Sequence, residues 1–159
     1  MIKVYLASGW FSYKQAVQMK EIYEVLNRLK TEGMIELFAP YYNGIVLRKT
    51  DPYLREKMRE VWDLDIKKVV ESDLIVASTQ DHDVGTIFEC GYASAYKKII
   101  FCYNSNPELG LNVMLAQEAR AFIKTQEKLE EAVKSFSDYM YIGKNPLFFR
   151  YNLWEGEPI

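Results

Sequence analysis

Short β-rich runs alternate with helix-period segments along almost the whole chain, and that alternation admits few architectures. The runs are IKVYLA (Ile2 to Ala7), MIELFA, DLIVAS, KIIFCY and ARAFIK. Between them, helical patterns run from Tyr13 to about Lys30, from Pro52 to Glu71, near Gly85 to Tyr96, in a short piece near Leu111, and from about Gln126 to Phe136. Strands separated by helices are joined by crossovers, so they lie parallel, with helices covering both faces of the sheet.

A chain of 159 residues suits one domain, expected to span residues 1–159. The net charge of -2 gives no general attraction for polyanions, which argues against a nucleic-acid polymer as partner. The two cysteines, Cys90 and Cys102, fall in a predicted helix and a predicted strand, and no Cys/His cluster marks a metal site, so a reduced, cytoplasmic setting is expected. The chain starts straight into a strand-like segment without a targeting pattern, and no apolar run reaches the roughly 20 residues of a membrane span. No membrane association is expected.

The first helix opens with a capping-box pattern, Ser12 and Gln15. It carries Ala16, Met19, Ile22, Leu26 and Leu29 on one stripe and stops near Gly33. The second is expected to begin at Asp51-Pro52, a cap followed by proline at the first helical position, with Leu54, Met58, Val61 and Val69 on its apolar stripe. Asp65 falls in the gap of that stripe. A carboxylate there is either at a solvated edge or part of a site. The tail from Ser137 onward is rich in Tyr, Phe and Trp, which suits sealing the core, closing a pocket or forming a subunit contact.

Ligands of open α/β sheets bind beyond the carboxyl ends of the strands, so the loops after YLA, LFA, IVAS and FCY should converge. After the first strand come Ser8, Gly9, Trp10 and Phe11, a small-residue turn followed by two large rings: a platform for a base or sugar, or a hydrophobic plug at a helix start. After the third strand, Gln80 to Thr86 leads to Glu89 on the next helix, where Gly85 and Thr86 permit close approach of a ligand to the backbone. Asp83 could equally be a helix cap and Glu89 a solvated carboxylate, and His82 reads as an ordinary loop histidine. A glycosidic carbon developing oxocarbenium character needs a carboxylate on one face and an acid near the leaving group. Glu89 and one of the aspartates can divide those tasks, because crowded carboxylates repel and one then retains its proton.

The segment YLASGWF, Asp65 eight residues before Asp73, and the run from Asp83 through Glu89 to Ala93 together resemble nucleoside 2-deoxyribosyltransferases. Leu111-Asn112-Val113-Met114 is similar to that family's Asn-x-Met segment, and Trp154-Glu155-Gly156 to its C-terminal aromatic-Glu-Gly ending. The resemblance spans nearly the whole chain. It implies an α/β flavodoxin-like or Rossmann-like sandwich with a five-stranded, mainly parallel sheet, in an enzyme that transfers 2-deoxyribose between nucleobases by a retaining double displacement. Glu89 would be the nucleophile, Asp65 would assist base recognition and protonation, and Asp83 would contact the sugar hydroxyls or the base. Tyr5 would orient the nucleophile and meet the terminal carboxylate of Ile159. Gly9, Trp10 and Phe11 would line the substrate pocket. Asn112 and Met114 would come from a neighbouring subunit, which implies a homo-oligomer, typically a hexamer built as a trimer of dimers. The implied partners are small 2′-deoxynucleosides and free nucleobases, and no metal or organic cofactor is implied.

The segment Pro40 to Arg48 does not fit the family pattern cleanly, leaving Asn43 or Tyr42 as candidates for base contact. Leu115-Ala116-Gln117 leans towards purine-type members. Two rival functions are an N-glycosidase acting on 2′-deoxynucleoside 5′-monophosphates, in which water resolves the intermediate, and a non-catalytic nucleotide-binding module.

Overall fold

The computed structural model describes residues 1–151 and the backbone of Leu153–Trp154. Its strands are β1 (Ile2–Ala7), β2 (Ile35–Phe38), β3 (Leu74–Ser78), β4 (Ile99–Tyr103), β5 (Ala121–Ile123) and β6 (Leu153–Trp154). Its helices are α1 (Tyr13–Thr31), α2 (Pro40–Asn43), α3 (Leu54–Glu71), α4 (Val84–Ala95), α5 (Val113–Glu118) and α6 (Gln126–Tyr141). The sheet runs β2-β1-β3-β4-β5-β6, and every described pairing is parallel. The expected five strands are present, and β6 extends them by pairing Leu153 with Ala121 and Trp154 with Phe122.

Alternate strand residues point to opposite faces, and this period divides the core in two. Val4, Leu6, Leu74, Val76 and Phe101 meet Ile22, Leu26 and Leu29 of α1 and Leu129, Val133 and Phe136 of α6. Tyr5, Ala7, Ile75, Ala77, Ile100 and Cys102 meet Val69 of α3, Cys90 and Ala93 of α4, and Ala116 of α5. The second face uses many small side chains, which lets α4 pack directly on β1 and β3. Close approach of α4 is what later brings Glu89 to Tyr5. Both cysteines are free and buried.

The capping box at α1 is complete: the Gln15 amide donates to the Ser12 hydroxyl, and the Gln15 side chain accepts from the Ser12 amide. Gly33 takes the left-handed φ of 74° that ends this helix. The start of α3 differs from expectation. Asp51-Pro52 forms a turn outside the helix, Tyr53 adopts a left-handed conformation, and the helix begins at Leu54. The Asp51 carboxylate instead accepts from the Arg48 amide at 2.8 Å and pairs with Lys57 at 3.5 Å. The expected apolar stripe also covers only part of its length, because Ile66 and Val69 are buried whereas Met58 is exposed and Leu54 and Val61 are half-buried.

The last helix continues past Phe136 to Tyr141. Beyond it Phe149 is buried, with its ring centroid 5.0 Å from Phe136, 5.2 Å from Tyr139 and 6.1 Å from Phe101. This part of the aromatic tail seals the core under α6. Among the described residues, no helix is long and apolar enough to cross a membrane.

Candidate active site

The order β2-β1-β3-β4-β5 places a topological switch between β1 and β3, since the chain leaves β1 towards one edge and β3 towards the other. Crossovers departing in opposite directions leave a crevice beyond the carboxyl ends of those two strands. The turns Ser8–Ser12 and Thr79–Asp83 border it, and α4 starts there with Asp83 as its cap.

Tyr5, fully buried on β1, donates its hydroxyl to Oε1 of Glu89 on α4 at 2.6 Å. Burial pushes the Glu89 carboxyl up to about 8; the Tyr5 hydrogen bond works against that rise, and the negative charges of Asp65 and Asp83 add to it. Burial and the adjacent carboxylates drive the Tyr5 phenol well above the usual tyrosine range, so it remains a donor. Burial also pushes Asp65, on α3, up to about 6. Its Oδ1 is buried without a hydrogen-bond partner among the described residues, an arrangement that leaves it ready to engage a ligand.

Asp83 combines two roles that the sequence left as alternatives. It caps α4, with Oδ2 accepting from the Thr86 amide at 2.8 Å and from its hydroxyl at 2.9 Å, while it also lines the cavity beside Glu89. Gly9 explains how Asp83 fits. A Cβ at Gly9 would lie 2.8 Å from the Asp83 Cγ and 2.9 Å from the Gln15 Oε1.

Asp65, Asp83, Glu89, Trp10 and Phe11 share a cavity of about 120 Å3 with Ser8, Pro40, Gly85 and Thr86. Trp10 packs against Phe11 and Tyr41, with centroids 5.2 and 5.5 Å away, yet Phe11 remains 77% exposed. The two rings therefore form an open wall and not a plug within the chain. Neither suggested base contact in the Pro40–Arg48 segment reaches this cavity. Asn43 turns its Oδ1 back to the Ala39 amide, and Tyr42 stacks on Tyr23 at 3.6 Å. Ser8, Gly85 and Thr86, in the two loops that the sequence reading singled out, also line it, as does Pro40 at the start of the segment that did not fit the family pattern.

Asn112 and Met114 lie elsewhere. They line a second cavity of about 500 Å3 across α4, together with Ile87, Cys90, Leu115 and His82. Asn112 caps α5 by accepting from the Met114 amide at 2.9 Å, and Met114 is 76% exposed. The expected contact of Tyr5 with Ile159, and the segment Trp154-Glu155-Gly156 beyond its first residue, lie outside the described residues. Among the described residues, no group of three or more His, Cys, Asp or Glu side chains could hold a metal ion.

The sequence profile of nucleoside 2-deoxyribosyltransferases matches residues 4–136, well over half of the chain. The chain belongs to the nucleoside 2-deoxyribosyltransferase family. A search of curated proteins finds no significant match. Solved structures share the fold of this family member at low identity. One is a 2-deoxyribosyltransferase from Bacillus psychrosaccharolyticus, with TM-score 0.66 and 22% identity over 80% of this chain and 90% of that one. A conserved protein from Enterococcus faecalis aligns with TM-score 0.67 and 20% identity over 85% and 98% of the two chains. The CMP N-glycosidase BcmB of Clostridium botulinum aligns with TM-score 0.53 and 19% identity over 84% and 98%. The family match supports an enzyme of the nucleoside 2-deoxyribosyltransferase type, and the neighbours support its fold.

Within this family member, carboxyls with apparent values near 6 and 8 leave one proton on the cluster between those limits. A reaction needing one ionised and one protonated carboxyl therefore has a bell-shaped kcat/KM profile, falling below about pH 6 and above about pH 8. If the single proton of the cluster acts from Asp65, Asp65→Asn should lower kcat/KM by about a hundredfold or more and remove the alkaline limb. A wild-type alkaline limb that survives unchanged in this variant would contradict the assignment.

Proposed function

We propose that the protein transfers 2-deoxyribose between nucleobases through a deoxyribosyl ester of Glu89. The observation that carries this reading is the 2.6 Å bond from Tyr5 to Glu89 Oε1 in a cavity shared with Asp65. Tyr5 fixes one oxygen of Glu89 and leaves the other to attack C1′. As the C1′–N bond breaks, its electron pair passes to the departing base nitrogen, which takes a proton from Asp65. An acceptor base then attacks C1′ from the opposite face to Glu89, gives its proton to Asp65, and releases the carboxylate. Two inversions restore the β-anomer. The two carboxyls and the substrates account for every proton and electron pair in the cycle.

Charge favours a nucleoside over a nucleoside monophosphate. The cavity is lined by Asp65, Asp83 and Glu89, and among the described residues no Lys, Arg or His joins them. A 5′-phosphate would add negative charge to a site that already holds three carboxyls.

The pocket of one chain is also smaller than the roughly 300–1,000 Å3 of typical ligand sites, and it stands open at Phe11. Val84 and Phe88 of α4, Tyr96 just beyond its end, and Val113 and Met114 of α5 expose apolar surface that a single chain does not cover. A homo-oligomer that covers this face and presents Asn112 and Met114 to another subunit's pocket fits both observations. Both buried thiols suit a reducing, cytoplasmic setting.

Incubation with deoxyinosine and adenine should yield deoxyadenosine, and Glu89→Ala should abolish it while retaining base binding. Deoxyribose release without deoxyadenosine would instead support the hydrolase. Co-refolding Glu89→Ala chains with Met114→Ala chains should regain up to about a quarter of wild-type activity, since half of randomly formed two-fold dimers are mixed and each mixed dimer has one intact site. No recovery in verified mixed dimers would show that Met114 serves its own subunit.

A further inference from the structure

The turn that carries Trp10 and Phe11 is held on two sides. From α1, the Gln15 Oε1 accepts from the Phe11 amide at 2.9 Å and the Ser12 amide at 3.2 Å. From across the crevice, the Asp81 Oδ2 accepts from the Ser12 hydroxyl at 2.7 Å. Asp81 is itself held at its other oxygen, where Gln80 Nε2 donates at 2.5 Å. Gln80 leads into a buried polar chain: Gln18 Nε2 donates at 2.9 Å both to Gln80 Oε1 and to Asn104 Oδ1, and Asn104 donates to Thr79. Gln18, Gln80 and Asn104 are each at most 4% exposed. This network anchors one end of a link whose other end is the aromatic wall of the pocket.

The backbone at Asp81 is left-handed, a conformation that Asp tolerates better than most residues. Asp81 has φ of 57° and His82 φ of 48°, two successive left-handed residues without a glycine. Glycine would adopt the first conformation without steric cost, so it can replace the aspartate there without added backbone strain. Hydrogen bonds from Ser12 and Gln80 hold its carboxyl below the usual carboxylate range, which keeps the link charge-assisted at neutral pH.

We propose that Asp81 is a positioning residue that ties the Trp10–Phe11 turn to the Asp83-bearing turn and thereby fixes the aromatic wall against which the nucleobase rests. The proposal rests on the reading of this cavity as a nucleoside site. Asp81 lies outside the reacting cluster, so it governs substrate affinity and leaves the protonation of Glu89 and Asp65 alone.

The decisive variant is Asp81→Gly, which accepts the left-handed backbone and removes the carboxylate. Deoxyinosine-to-adenine transfer should show KM raised about tenfold, kcat within about twofold of wild type and an unaltered pH profile. The unfolding midpoint should fall only slightly, because the freely left-handed glycine offsets part of the two lost hydrogen bonds. Asp81→Asn keeps an acceptor for Gln80 and a donor for the Ser12 hydroxyl, and should restore KM most of the way. In a Trp62→Phe, Trp154→Phe background, used as its own reference, Asp81→Gly should lower the fluorescence anisotropy of Trp10 without any substrate. That readout separates the two readings: a wild-type protein without turnover sinks the proposed activity, whereas unchanged Trp10 anisotropy sinks the link. Unchanged KM, or a loss confined to kcat, would likewise overturn the positioning role.

Discussion

Placing an ionisable carboxyl against the floor of a hydrophobic sheet is the constraint around which the rest of the molecule is arranged. Glu89 sits among Tyr5, Asp65 and Asp83, and burial favours its neutral form. The Tyr5 hydroxyl offsets part of that penalty by donating to the ionised form. A buried tyrosine of this kind cannot compete for the proton, because its own phenol is pushed far out of the physiological range. The result is a carboxyl whose charge depends on its neighbours' protonation, which suits the proposed reaction, in which one proton moves towards a leaving base.

The fold supplies this geometry through side-chain size. Ala7, Ala77, Cys102, Cys90 and Ala93 leave room for α4 to lie close to the sheet, so that Tyr5, the large residue of β1 on that face, reaches Glu89. Gly9 does the same at the pocket rim, where any side chain would collide with Asp83 or Gln15. On the opposite face the large residues Phe101, Phe136 and Phe149 make a tightly interlocked core, which gives the sheet the rigidity that a sub-ångström catalytic arrangement requires.

Much of this was legible in the sequence because it is encoded locally. Strand period, the Ser12–Gln15 capping box and Gly33 located β1 and α1, and the family pattern led to Glu89, Asp65, Tyr5 and Asp83, which do converge. The failures were non-local. Asp51-Pro52 has the composition of a helix start, yet Asp51 is drawn to Arg48 and Lys57, and the helix waits until Leu54. Met58 belongs to an apolar period that nothing in the single chain covers. Tyr42 stacks on Tyr23, a partner set by how α2 lies on α1, and no window of sequence around Tyr42 announces it.

The central claim is that Glu89 carries the sugar between two bases. Its most direct test is to mix the protein with deoxyinosine, without acceptor, quench within the first turnover, and measure intact and peptide masses. The account predicts one added deoxyribosyl group per active site, located on the peptide containing Glu89 and discharged to deoxyadenosine when adenine is supplied. Turnover without any such adduct, or an adduct on a different residue, would contradict it.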